Sequence, residues 1–335
     1  MALGPRVLTE EPGPVSFCVF GGALIDRVGL FETPFHPGQS HPGHWQQTIG
    51  GVASNVARHL AHFGAQVQFA SVFSDDASAQ TVCRQLVADG LSIIPDCIFP
   101  DSTTPTYTVM HDPSGDVIAG LADMALHEHM NEVWARKVAL AGAASTHWIA
   151  DTNITPAALA ELASLKGDRP LFLVVVSPAK ALGLTALLPH IDGIICNRQE
   201  AEAVAASIFA DAASAAQGLV NTGLPLCIVS DGAQPGAFAR KTPDQDLQLV
   251  VKAPVSHLEK SDDPTQQRFR MTGVGDMFAA ASLFALCSKT AIAAEDILQH
   301  AHAAARLAMQ EDDTCPAIGW RAVTTAADKE KIQND

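Results

Sequence analysis

Apolar positions along the chain alternate between two patterns. Short unbroken runs at 17–22, 67–72, 146–150, 171–176, 193–196, 226–229 and 247–252 read as strands. Between them, helical patterns fall at 77–89, 131–141, 156–164, 179–187, 198–207, 210–221, 275–287 and 294–310. A run such as Leu171-Phe-Leu-Val-Val-Val176 is apolar on both faces, which suits a strand covered on both sides. Strands alternating with helices in this way predict an α/β fold around a mainly parallel sheet.

Two stretches break the alternation. From 27 to 49 the sequence is loop-like, with Pro34, Pro37, Pro42 and several glycines, and its scattered apolar residues predict only short strands. From 97 to 120, two β-rich runs flank Asp112-Pro-Ser-Gly115, a turn signal, and read as a hairpin. Together these segments predict a small β layer apart from the main core. The tail from Thr324 reads as a short helix that frays.

The start of each of two helices carries chemistry. In Gly50-Gly51-Val-Ala-Ser-Asn55, the positions Val52, Val56, Leu60 and Phe63 repeat at helical spacing, and Gly64 is a natural stop. Asn55 lies one turn in, where its amide reaches a ligand held over the glycines. His59 and His62 stand at i,i+3 with no third ligand in view, and read as solvated histidines. Later, Gly273 and Gly275 precede Asp276 and an alanine-rich apolar helix. The first N–H groups of a helix lack internal partners and carry its positive end, so they suit an anion. A carboxylate there is either an ordinary N-terminal cap or a general base beside a phosphoryl site. Asp26 follows the first strand at the edge where α/β sheets bind ligands.

Composition narrows the picture. A formal charge of −15 gives a nucleic acid or an anionic membrane no general attraction. Seven scattered cysteines, with no C-x-x-C pair, favour free thiols over disulfides or a zinc site. Residues 1–14 lack an apolar signal core, and the most apolar run, 277–286, is too short to span a bilayer. The expectation is a soluble, cytoplasmic protein. No G-x-x-x-x-G-K-[ST] loop occurs, and Gly273-Val-Gly275 continues in a way that breaks G-x-G-x-x-G.

The glycine–asparagine helix near the start, Thr272-Gly-Val-Gly-Asp276 near the end, and the strand alternation between them resemble the ribokinase-like (PfkB-type) carbohydrate kinase family. The resemblance covers nearly the whole chain. It implies a three-layer α/β sandwich over 15–330, with a mainly parallel central sheet, a small β-sheet lid from about 27–49 and 97–121, and a 1–14 extension. It also implies ATP-dependent phosphorylation of a sugar or nucleoside hydroxyl with Mg²⁺. The likeness is strongest to pseudouridine kinases, through Ser40-His41-Pro-Gly43, Thr104-Pro-Thr106, Asp112-Pro-Ser-Gly-Asp116 and Ser177-Pro-Ala-Lys180. A ribokinase- or adenosine-kinase-like acceptor is the alternative, and a weakly active ligand-binding homologue stands behind both.

Carried over by position, Asp276 matches the base, while Gly273, Val274 and Gly275 match the anion hole. Asp26, Gly50, Gly51 and Asn55 match the ribose contacts, with Ser40, Thr106 and Lys180 as candidates for recognising the rest of the substrate. Asn197-Arg-Gln-Glu200 matches a motif that organises Mg²⁺ through water, although Asn197 and Glu200 also read as a plain helix cap. Ser230, Gly232 and Gly236 match a glycine-bearing turn on the ATP side, together with Thr272. Arg270 stands where the family carries an Asp that helps hold a monovalent cation, so a bound potassium ion is not expected there. A homodimer through the lid is the expectation by analogy.

Overall fold

The computed structural model describes residues 15–95, 97–242, 244, 246–254, 273–288, 292–311 and 313–334. The strands of its first half are β1 (Ser16–Phe20), β2 (Leu24–Phe31), β3 (Gly43–Gly50), β4 (Gln66–Ala70), β5 (Phe73–Ser74), β6 (Ser92–Ile93), β7 (Ile98–Phe99), β8 (Thr106–His111) and β9 (Val117–Asp123). Those of the second half are β10 (His147–Asp151), β11 (Leu171–Val174), β12 (Gly193–Asn197), β13 (Leu226–Asp231), β14 (Gln234–Lys241) and β15 (Leu247–Lys252). The helices are α1 (Val52–His62), α2 (Ala77–Ala88), α3 (Glu132–Ala141), α4 (Pro156–Leu165), α5 (Pro178–Ala181), α6 (Arg198–Ala205), α7 (Ala212–Asn221), α8 (Val274–Cys287), α9 (Ala294–Ala308) and α10 (Trp320–Asn334).

The main sheet runs β15-β14-β13-β12-β11-β10-β1-β4-β6, parallel except for β14 and β15. Alternate side chains divide between two cores, as the period of a strand requires. Phe17, Val19, Ile149, Phe172 and Ile195 pack with α1, α8 and α9, whereas Cys18, Phe20, Trp148, Leu171 and Ile194 pack with α3, α4, α6 and α7. Burial on both faces is why the central strands read as continuous apolar runs. Each large core side chain contributes about 1.5–3 kcal/mol of burial, and the resulting framework fixes the carboxyl ends of the parallel strands. Along that edge lie Gly21-Gly22 after β1, Asp151, Asn197 and Asp231.

The second sheet, β3-β2-β8-β9, confirms the separate β layer and corrects its detail. The 27–49 stretch is not mainly loop: β2 and β3 are paired eight-residue strands in register from Leu24↔Gly50 to Phe31↔Gly43. Their half-exposed positions mix polar and apolar residues, which hid them in the pattern. Asp26 therefore lies inside β2, not past the end of β1.

Other elements depart from expectation as well. The 179–187 helix is a four-residue α5 followed by a 3₁₀ segment, Leu184–His190. Strand β14 follows Gly232 directly, so Gly236 is a strand residue paired with Lys252 and not part of the turn. A Cβ at Gly236 would crowd the buried His302 ring on α9, which gives this glycine a packing reason. The tail does not fray as a short piece. α10 spans fifteen residues and is held by buried Val323 and Ala327 and by a Glu330–Arg306 ion pair. Among the described residues no helix is long and apolar enough to cross a membrane.

Candidate active site

Helix α8 is apolar almost all round, with Met277 to Ala285 buried, so its position is dictated by packing between α1 and α9. Its first backbone hydrogen bond runs from Met277 N–H to the Gly273 carbonyl. The N–H groups of Val274, Gly275 and Asp276 thus have no partner inside the helix, and no side chain caps them. Gly273 adopts φ 81°, and a Cβ there would strike the Thr314 carbonyl. Among the described residues, and apart from the helix's own backbone and the adjoining residues, no atom lies within 4 Å of where a Gly275 Cβ would stand, which leaves that backbone open to a ligand.

Asp276, in the first turn, meets Asn55 from α1: Asn55 Nδ2 donates to Asp276 Oδ2 at 2.8 Å. Asn55 is 3% exposed, and among the described residues its buried Oδ1 has no hydrogen-bond partner. A buried acceptor left unpaired costs about 1–3 kcal/mol, so the position favours a ligand hydroxyl. Burial pushes the Asp276 carboxyl up to about 7; the Asn55 hydrogen bond opposes this, and the charges of Asp26, Asp151 and Glu200 add to it.

Asp26 enters from β2. Its carboxylate occupies the place a Cβ of Gly50 would take, so Gly50 is a glycine to make room for it. Burial raises Asp26 to about 6. Gly51, at φ 103°, lets the chain turn into α1 against the Gly22 carbonyl.

The sequence reading missed Asp151. This carboxylate, 1% exposed at the end of β10, accepts from the N–H groups of Gly22 at 3.2 Å and Ala53 at 3.1 Å, and from the Asn153 amide at 3.0 Å. It thereby caps α1, whose own N-cap residue is Gly51, and pins the Gly21-Gly22 turn. Burial raises it to about 6 against the hydrogen bonds from Asn153, Gly22 and Ala53. An Asp directly after the 146–150 apolar run was the available signal. His127 was missed too, and nothing in the sequence marks it. It is 3% exposed beside Gly22, and burial, then the Lys180 charge, pull it down to about 4 against the Ala23 backbone, which favours the charged ring.

The remaining candidates are placed as follows. Lys180 is exposed on α5, close enough for its charge to act on His127. Thr106 opens β8 beside β2, its hydroxyl donating to the Thr104 carbonyl. Asp76 holds Thr104 through its backbone N–H and hydroxyl, anchoring the entry to β8. Ser40 is exposed in the connection between β2 and β3, where the half-buried His41 accepts from the His36 N–H. Asn197 and Glu200 form a complete capping box on α6: Glu200 N–H donates to Asn197 Oδ1, and Asn197 N–H to Glu200 Oε2, both at 2.9 Å. Burial lifts Glu200 to about 7 despite those bonds. Ser230 and Gly232 sit at the end of β13 and in the turn after it. Arg270 and Thr272 lie outside the described residues.

The pfkB family carbohydrate kinase model matches residues 16–320. The chain belongs to this family. It is a kinase that passes a phosphate to a hydroxyl of a sugar or nucleoside. Among its relatives, pseudouridine kinase of Escherichia coli is 26% identical over 285 residues, 83% of this chain and 90% of the relative. A carbohydrate kinase from Agrobacterium tumefaciens superposes with a TM-score of 0.79 at 27% identity, covering 94% of this chain and 97% of the other. Ribokinase from Arabidopsis thaliana, solved with ribose and ATP, superposes with a TM-score of 0.74 at 18% identity over 94% of this chain and 99% of its own. The PfkB chain described here thus brings its two glycine-bearing helix starts together at one carboxylate, the sole Asp of α8.

Proposed function

We propose that this kinase phosphorylates pseudouridine at its 5′-hydroxyl, with Mg²⁺·ATP as donor. The observation that carries the reading is the Asn55–Asp276 contact at the unpartnered amides of α8. In the reaction, Asp276 takes the hydroxyl proton as the oxygen attacks the γ-phosphorus. The bond to the leaving ADP breaks, and the N–H groups of Val274, Gly275 and Asp276 offset the charge on the transferring phosphoryl oxygens. A base near pH 7 is well matched to this task. Asp26, the Gly50-Gly51 turn and Asn55 Oδ1 hold the ribose hydroxyls. Thr106, Ser40 and Lys180 face the base once the small sheet closes, and closure keeps water from the donor.

The charge around the site fits a hydrated divalent ion, since Asp26, Asp151 and Glu200 all raise the pKa of Asp276 through like charge. Mg²⁺ suits a few carboxylates reached through water. Asn197 and Glu200 would hold it in that way, with Asp231 nearby at the end of β13. The ion would supply charge neutralisation at the phosphates. Ser230, Gly232 and Thr272 take the nucleotide side.

The two faces of the small sheet support the lid reading. Asp26, Thr48 and Tyr107 share one face by register, and Trp45, Met110 and Leu121 share the other. Trp45 is 58% and Leu121 68% exposed, an apolar face fitting a second copy of the chain.

An ATP-coupled assay over pseudouridine, uridine, adenosine, ribose and fructose decides the acceptor. Pseudouridine is expected to give the highest kcat/KM. A preference for free ribose or adenosine overturns the substrate, and no turnover with any acceptor overturns the active-kinase reading.

A further inference from the structure

His59 and His62, read from sequence as solvated, are not. His59 is fully buried and His62 half-buried, and a third group reaches them from the far end of the chain. Cys315, in the turn ahead of α10, brings its Sγ to 3.6 Å from His59 Nδ1. One ligand atom from each of the three lies within 4.8 Å of the others. Tetrahedral zinc holding nitrogen at about 2.0–2.1 Å and sulfur at about 2.3 Å separates its ligand atoms by roughly 3.3–3.6 Å. The His59–Cys315 edge already has that length, and His62 completes the triangle within 4.8 Å.

The surroundings also suit a metal. His62 Nε2 stands 3.7 Å from Asp89 Oδ1, and the Pro316 carbonyl is the polar group that its buried Nδ1 side faces among the described residues. A carboxylate behind an imidazole is the arrangement that orients a metal-binding histidine. His59 Nε2 is buried and has no hydrogen-bond partner among the described residues. Arg58, whose charge acts on both rings, is engaged by Asp89. Asp276 and Asp313 add negative charge around the thiol.

We infer that His59, His62 and Cys315 bind one zinc ion, leaving a fourth position for water. Zinc takes neutral imidazole nitrogens and a thiolate sulfur. Binding forms a Zn–S bond and releases the thiol proton to solvent, and affinity therefore rises with pH. The ion ties the 313–316 turn to α1. Thr314 in that turn covers Gly273, and Cys315 Sγ sits 3.8 Å from the Asn55 carbonyl, so the tether borders the proposed catalytic groups without joining them.

The test uses the full chain, stripped with a chelator and titrated with Co²⁺, then Zn²⁺. One equivalent of Co²⁺ is expected to produce a thiolate charge-transfer band in the near ultraviolet and four-coordinate visible bands, both displaced by Zn²⁺. Cys315→Ser should remove the charge-transfer band. His62→Gln, near the surface and compatible with folding, should weaken binding at least tenfold, and Cys83→Ser should change nothing. A titration without a thiolate band overturns the site, as does a band that survives Cys315→Ser. These readouts are independent of the acceptor and of turnover.

Discussion

The Asn55 amide donates to Asp276 across 221 residues of sequence, joining the first turn of α8 to the first turns of α1 at 2.8 Å. Nothing else on α1 reaches that carboxylate by a hydrogen bond among the described residues. The bond holds the carboxylate in one orientation and favours its charged form. Because a hydrogen bond to a charged group contributes about 1.5–3 kcal/mol, Asn55→Leu is expected to move the acidic limb of the kcat/KM profile upward by about one pH unit. It should also raise KM by losing Oδ1. A pH–rate titration of the variant checks both effects; a raised KM with an unmoved limb would reduce Asn55 to a substrate contact.

Asp276→Asn removes the base and retains the shape. Turnover is expected to fall by about a thousandfold or more, with acceptor binding by calorimetry within a fewfold of the parent. Stability should change in the opposite direction. A carboxyl at about 7 when folded and near 3.8 when unfolded binds its proton more tightly in the native state. Its charge therefore erodes stability progressively as pH rises from about 4 to 7. At pH 8 the variant is expected to be more stable than the parent by on the order of 1–2 kcal/mol, partial exposure having screened the full effect. The gain should vanish near pH 4. Denaturant melts at the two pH values measure the difference.

Much of this site was legible in the sequence because paired glycines at the start of an apolar helix bring backbone N–H groups and a polar side chain to one place. Gly50-Gly51, Asn55 and Gly273-Val-Gly-Asp276 stood out on that ground, and the structure brings them together. Asp151 did not stand out, since its role is to cap a helix that begins 98 residues earlier. Contacts of that kind leave no local pattern. His59 looked solvated for the same reason: the group packed against its ring is Cys315, distant in sequence. The main sheet was readable because both of its faces are covered. β2 and β3 were not, because a sheet with one open face and prolines in its connecting turn mixes polar and apolar positions.

Gly50 tests how tightly the small sheet and the ribose site are coupled. A Cβ at this position overlaps the Asp26 carboxylate. Gly50→Ala is expected to raise KM at least tenfold with little change in kcat, and to lower stability by about 1–3 kcal/mol through overpacking. Adding Asp26→Ala removes the clash, so the double variant should recover most of the stability and none of the affinity. A double-mutant cycle on unfolding and on KM separates the two effects. Additive stability changes would show that Gly50 and Asp26 do not meet.

Asp151→Asn gives a prediction of opposite sign to the first. Asp151 accepts from three backbone N–H groups and an amide, and an asparagine must turn one NH₂ toward donors. The expected cost is about 1–3 kcal/mol of stability, with α1 losing the carboxylate at its positive end. The same change removes one of the negative charges that raise Asp276. The acidic limb of kcat/KM should consequently move to lower pH, by a few tenths of a unit for a charge that is itself partly protonated near pH 6. Asn55→Leu and Asp151→Asn thus push the same titration in opposite directions, one by withdrawing a donor and the other by withdrawing a like charge. A pH–rate comparison of the two variants in one buffer series checks this. If both shift the limb upward, the group that titrates is not Asp276 in the setting described.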